Sequence, residues 1–597
     1  MTPPWGRHWR HGLWAACTLL AAGPVRAIDH RLAPAGAAMA PVGYIMAADL
    51  QDQLLADGDK VLLDCGARYP PLRLRTRDAG TVRVEPAGSC TTGRRPVFDG
   101  RRPPGLARRS ADATAGGAGG AGRSTFTQPQ PVVQVFAGDQ PLPRARHPKS
   151  SYLLFGPQAV AAAAMLPADA RLDPAALAGA TLVARTQEWL METRQVGADG
   201  RSLDLPLQYP LRPKAGIFFT GKAWMLGAGP GWAHERLAQT LTVQGAGDQV
   251  LSVALDEPLL QVRGSAGVVV QGIDFFGAGG HAVDVKSDGA VVLRDLTITL
   301  TGGNAVAVAG ARLAQVEQLR IDRCGGDGVF FAEVARAEVR NSSVRDAGLL
   351  HGAGPALAAI NAHRTDAALI ERNQVERAGY IGIRVSGDAL VQGNRIAETC
   401  ISLADCAAIY TWRRGRDDHR APVRVLGNLV LGVGVGGDTS VNFGVTDYFA
   451  GVYLDEWTRR GDVQGNVIID AAQGIYLHNS FDNTVAGNLV LGARAQALQD
   501  LVDTPVRAAL AASGSEVANR LQAALIDKPA APGEWTLVPA GDAAALRRTS
   551  TRWVVLDRVP GSGAGPVNAS DLGGCSALMP VPKAPDLPAQ VLRCPPK

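Results

Sequence analysis

Charge and aromatic rings are both scarce in this chain. Of 597 residues, 19% are Asp, Glu, Lys or Arg and 5% are Phe, Tyr or Trp, whereas glycine alone contributes 70. That balance argues against a helix-rich enzyme and for a chain with many tight turns. The formal net charge is only +5, and the arginines are scattered rather than gathered in one patch. Nucleic acid is therefore not an expected partner. The weak positive bias fits an acidic polysaccharide and fits an ordinary solvated surface equally well. After the first residues no segment reaches about 18 uninterrupted apolar residues, roughly the span of a bilayer. No cysteine pair has histidines nearby at metal-ligand spacing, so neither a metal nor any other cofactor is expected.

What is present begins with an export signal. Arg7 and Arg10 precede the apolar run LWAACTLLAAG, and Val25-Arg26-Ala27 supplies small residues at the −3 and −1 positions. Cleavage after Ala27 is expected, leaving no stable membrane insertion and a monomer in the periplasm or outside the cell. Export permits disulfides. With Cys17 removed, the remaining cysteines fall into local groups, Cys65 with Cys90, Cys400 with Cys406 and Cys575 with Cys594. They read as staples or core residues, their pairing open, with Cys324 left over as a buried thiol.

The chain divides by pattern. After the signal (1–27), residues 28–99 read as a cap with a short amphipathic helix and the first rungs of a coil. Residues 100–149, dominated by Arg, Pro, Ala and Gly, read as a flexible loop. Residues 150–262 hold Trp189, Trp224 and Trp232 among short strands and read as a small β-rich subdomain. From 263 to 493, alternating apolar runs recur at a period of about 20–25 residues, with insertions near 347–366 and 400–450. Asn373, Asn394, Asn428, Asn466 and Asn488 recur at similar points in these runs. Asparagine tolerates left-handed backbone and bonds to turns, so these residues read as structural. Residues 494–530 read as a helical insertion, and 531–597 as terminal strands and tail. A propeller needs a longer period and a leucine-rich repeat needs its leucine skeleton. The pattern predicts an all-β fold, a right-handed single-stranded parallel β-helix with a small inserted β-rich subdomain and a few peripheral helices.

Three strands carry a resemblance. DCAAIYTW (405–412), GVYLDEW (451–457) and GIYLHNSFDNTVAGNLV (474–490) resemble the right-handed parallel β-helix family of secreted carbohydrate-active proteins, in which Asp-Cys-small-small-Ile-Tyr is followed by Gly-Ile-Tyr-Leu-Asp-Asp. GIFFTGKAWMLGAGPGWAHERLAQTLTV (216–243) is similar to the small β subdomain inserted before the coil in that group. It departs from it at Gly227, where Asp is common, and at Gly231, where Glu is common. The resemblance spans roughly 165–490. It implies the fold, while the group itself includes hydrolases, lyases and epimerases.

The candidate site follows from strand geometry. Side chains alternate along a strand, and rungs lie about 4.8 Å apart. Stacked in register, the three strands place Tyr410, Trp412, Tyr453, Asp455, Tyr476 and His478 on one outer face, with Arg384 one rung earlier and Asp284 further out. Exposed aromatic rings suit sugar faces. A glycosidase needs two carboxylates, about 5–9 Å apart. Asp455 is the first choice, its partner being Asp405 or Asp447, with His478 orienting Asp455 or binding a hydroxyl. The reading is a glycoside hydrolase on a polysaccharide or oligosaccharide. The alternative is a lyase or C5-epimerase on a uronic-acid polymer, with Arg413, Arg414, His419 and His478 as its groups. A non-catalytic glycan-binding coil is the third reading. Asp417 and Asp418, with Asp447 or Asp438, are a weak Ca²⁺ alternative.

Overall fold

The computed structural model describes residues 27–521, apart from 78–79, 91–93, 109–121, 156–163, 167–170, 350–357, 414–420, 435–447, 492, 513–518, and beyond them a few short strands. Its body is a right-handed parallel β-helix. One coil is Val283–Lys286, Ala290–Arg294 and Thr297–Thr301; the next is Val306–Ala309, Leu313–Glu317 and Arg320–Cys324. Val283 lies against Val306, Val291 against Ala314 and Ile298 against Ile321, all parallel.

Alternation explains the core. Val283, Val306, Val329, Ile360, Ile383, Ile409, Val452 and Ile475 succeed one another in register down one inner column, and none is more than 1% exposed. Burial of each such side chain is worth about 1.5–3 kcal/mol. The glycines that open the matched strands have a packing reason. A Cβ on Gly451 would sit 2.5 Å from Ile468, and one on Gly474 would sit 2.4 Å from Val490. The two sheets meet too closely there for any side chain.

The asparagines form a continuous internal ladder. Nδ2 of Asn373 donates to Oδ1 of Asn394 (3.1 Å), Asn394 donates to Asn428 (2.9 Å), Asn428 to Asn466 (2.9 Å) and Asn466 to Asn488 (2.9 Å). Each amide also donates to a strand carbonyl. The left-handed backbone is taken not by asparagine but by the residue before it: Arg372, Gly393, Gly427, Gly465 and Gly487 all have φ between 54° and 62°. Asparagine supplies the hydrogen bonds, glycine the turn. Successive ladder spacings of 21, 34, 38 and 22 residues show where the coil is lengthened by insertions.

The coil begins within 28–99, where its first rungs are expected, and runs past 493. Leu72–Thr76, Thr81–Pro86 and Val97–Asp99 stack directly on Leu260–Arg263, Gly267–Gln271 and Asp274–Ala278. The intervening chain is therefore an insertion between two adjacent coils. Its first part is not the expected loop: Arg101–Arg102, Leu106–Arg108, Arg123–Thr127, Val132–Ala137, Gln140–Pro141 and Arg146–His147 are strands. They pair with strands nearer 216–255, partners that a local composition reading does not see. Among the described residues the segment 494–530 is helical only at Thr504–Ala512, and Gln496–Leu501 continues the inner column after Gln473–His478. Cys65 is bonded to Cys90 and Cys400 to Cys406, and Cys324 is a buried thiol. Cys575 and Cys594, the export signal and its cleavage point lie outside the described residues or at their edge. Among the described residues no helix is long and apolar enough to cross a membrane.

Candidate functional site

A cleft of about 740 Å³ opens where the matched strands meet the inserted subdomain. Its floor is the outward column Arg384, Tyr410, Tyr453, Tyr476, four successive partners in register. The rings pack on one another. Tyr410 meets Tyr453 edge-on with centroids 5.2 Å apart, Tyr453 meets Tyr476 at 4.6 Å, and Tyr448 stacks on Tyr476 at 6.4 Å. The expected exposed ladder of aromatics is instead a covered floor, with Tyr410, Tyr453 and Tyr476 at 9%, 4% and 3% exposure. The wall that covers it is the hairpin between Thr181–Gln187 and Leu190–Gln195. Ala404 donates its backbone N–H to the carbonyl of Glu188 (3.0 Å), and Trp189, Leu190, Met191 and Tyr209 complete that side. Met191, Val183 and Phe218 of the subdomain belong to the same apolar core as the coil.

Asp455 follows the last residue of Phe449–Leu454, where its N–H still bonds to the Thr411 carbonyl (2.9 Å). Its side chain is held from two sides. Oδ2 accepts from the Tyr410 hydroxyl (2.7 Å) and Oδ1 pairs with Nδ1 of His478 (2.8 Å). The other nitrogen of His478 lies 3.3 Å from Asp503, which also accepts from Asn479 (2.9 Å). Burial alone would lower the His478 pKa. The hydrogen bond that His478 donates to Asp455 and the charges of Asp455 and Asp503 outweigh it, so the imidazolium is favoured.

Asp405 lines the same cleft, at φ 53°, immediately before the strand Cys406–Thr411. Its carbonyl accepts from the Tyr380 hydroxyl (2.8 Å), and the Cys400–Cys406 disulfide closes the short loop that carries it. Burial, reinforced by the negative charge of Asp455, pushes its carboxyl up to about 7, against opposing effects of His478 and a hydrogen bond from Tyr453. The cleft thus holds two carboxyl groups in unlike settings. One is retained as the acid near neutrality, the other is bonded by a hydroxyl and an imidazole.

The structure brings Asp405, Asp455, Arg384, Tyr410, Trp412, Tyr453, Tyr476 and His478 to one cleft. Arg413 does not join them. Its guanidinium is fully buried and donates to the backbone carbonyls of Gly387 and Ala421; the chain turns at the strand end, so the side chain beside Trp412 faces the packed turn. Asp447, Arg414, His419, Asp417, Asp418 and Asp438 lie outside the described residues. Among the described residues no cluster of His, Cys, Asp and Glu has the makings of a metal site. A continuing strand would direct Glu456 elsewhere, but the strand stops at Leu454, and from the turn Glu456 lines the cleft and accepts from the Trp412 indole (3.2 Å). Strand reasoning missed Tyr380, Glu188, Trp189, Tyr209, Tyr448 and Asp503. Of these only Trp189 had left a signal, in the tryptophan cluster.

Fold and cleft define the class, a right-handed parallel β-helix protein with one walled cleft on its outer face. The family model described as the right handed beta helix region matches residues 259–420. No curated protein matches the chain. Among solved structures, a glycoside hydrolase is 13% identical over 75% of this chain and 90% of its own, with a TM-score of 0.48.

Proposed function

We propose that this protein is an exported glycoside hydrolase, with Asp405 as general acid on the glycosidic oxygen and Asp455 as the carboxylate that activates water or attacks the anomeric carbon. The observation that carries the proposal is the unlike setting of the two carboxyl groups within one cleft. Asp405 is pushed up to about 7, whereas Asp455 is held by Tyr410 and His478. Pairs of titratable groups driven apart in this way are how one site supplies both an acid and a base at neutral pH. Trp189 offers an exposed ring to a pyranose above the packed floor of Tyr410, Tyr453 and Tyr476, and the half-walled shape suits a chain lying in a groove.

Elimination at a uronic acid is the competing chemistry, favoured by the guanidinium of Arg384 in the same cleft. It needs a free base. Both nitrogens of His478 are engaged by carboxylates, and burial raises the pKa of Tyr410 and Tyr453 well above the usual phenol range, so hydrolysis is the better reading.

The test is glycan release from a panel of polysaccharides and aryl glycosides. Asp455→Asn and Asp405→Asn should each lower turnover by about 10²–10⁴-fold with an unchanged far-ultraviolet spectrum. Full activity in both variants, or ultraviolet-absorbing unsaturated products, would overturn the hydrolase.

A further inference from the structure

Arg384 stands in the outward column between Asn361 and Tyr410. Neither neighbouring rung offers it a carboxylate. Other arginines on the coil surface do have one close by: Arg377 bonds Asp346 (2.7 Å), Arg340 bonds Glu338 (2.7 Å) and Arg424 bonds Asp388 (3.0 Å). Among the described residues no carboxylate lies within ion-pair distance of the Arg384 guanidinium. Its Nε is buried with no hydrogen-bond partner, and its terminal carbon lies 5.7 Å from the centre of the Tyr410 ring.

The acids of the cleft are otherwise engaged. Asp405 is bonded by Tyr453, Asp455 is held by Tyr410 and His478, Asp503 by Asn479 and His478, Glu188 by Arg212 (2.9 Å) and Glu456 by Trp412. A half-buried cation without a counter-ion, one rung from the reacting groups, is costly in the empty protein and becomes favourable when an anion completes it. The planar fork of a guanidinium matches a carboxylate or a sulfate through two parallel hydrogen bonds.

We infer that Arg384 selects a negatively charged sugar, binding the carboxylate of a uronic acid or a sulfate ester on the ring next to the one seated over Tyr410. The inference rests on the cleft being a glycan site, and adds the substrate class.

The experiment is calorimetric titration of the full-length protein at low salt. Its probes are oligogalacturonate and oligoglucuronate, the same oligomers after carboxyl reduction, and a sulfated galactan oligomer with its desulfated form. An acidic oligomer should bind about 10–100-fold more tightly than its neutral counterpart. Arg384→Gln should erase that ratio by weakening acidic binding far more than neutral binding, and Arg384→Lys should keep part of it, because the charge persists and the fork is lost. The carboxylate and sulfate arms tell the two anions apart. Equal binding of charged and neutral oligomers, an unchanged ratio in Arg384→Gln, or no binding of any acidic oligomer would overturn the inference. Charge selectivity without bond cleavage would sink the hydrolase and leave Arg384 standing. Cleavage of a neutral glycan indifferent to Arg384→Gln would do the reverse.

Discussion

A carboxyl group that keeps its proton to about pH 7 makes two predictions at the scale of the residue. The first concerns rate. If Asp405 is the acid, kcat/KM falls as pH rises through about 7, and Asp405→Asn loses that limb along with most of the rate. The pH profile of glycan release checks it. The second concerns stability and has a definite sign. Asp405 has a folded pKa above its unfolded value of about 3.9, so the folded protein binds the proton more tightly. The stabilisation is complete below about pH 4 and is lost as pH rises through about 7. At pH 8 Asp405→Asn should therefore melt at a higher temperature than the wild type, with the gap closing towards pH 4; thermal melts across that range decide it. The acids were readable beforehand because Asp455 is two positions from an outward tyrosine and strand alternation carries it to the same face. Arg413 misled because the charge of its loop suggests a solvent-facing clamp, whereas alternation past Tyr410 and Trp412 turns it inward, where it is fully buried.

Among elements, the asparagine ladder and the disulfide loop bear the mechanical load of the site. Asn428→Ala would remove amide donations to Val391 and Asn466 and leave Asn394 without its acceptor, all of them buried. A loss of about 2–4 kcal/mol is expected, measured from urea unfolding. The double variant Cys400→Ser, Cys406→Ser opens a short loop, worth about 2 kcal/mol by chain entropy. Because that loop delivers Asp405, glycan release should fall several-fold under conditions where circular dichroism still reports a folded coil. Unchanged turnover would show that Tyr380 and the subdomain hold Asp405 without the bridge. Periodicity made the coil legible, since a stacked rung repeats its own alternation. It could not make the strands of 101–147 legible, because Arg101–Arg102, Arg123–Thr127, Val132–Ala137 and Arg146–His147 pair with strands of 216–255, far along the chain, and carry no repeat. Gln496–Leu501 was hidden differently, its polar and apolar residues suiting a helix until a neighbouring strand claims it.

For the molecule as a whole, the cleft belongs to two units at once, a floor from the coil and a wall from the insertion, joined through Met191 and the Glu188–Ala404 backbone bond. A glycan that bridges them should stabilise the entire protein, by about 2.7 kcal/mol at a hundredfold excess over its Kd, seen as one melting transition displaced upward. Trp189→Ala removes half-exposed wall area and should raise KM for long glycans more than for small aryl glycosides, with little change in kcat.

The interior slot occupied by the asparagines holds Ile273, Leu296 and Leu319 in the coils nearer the start, then Ser342. The amides take over in the coils whose outer faces carry Arg384, Tyr410, Tyr453 and Tyr476. One half of the solenoid is thus greased and the other half is keyed. In the keyed half every amide counts its neighbours, so a coil slipped by one rung there would break the whole column of bonds. The register of the working face is thereby held from inside, by residues that never meet the cleft.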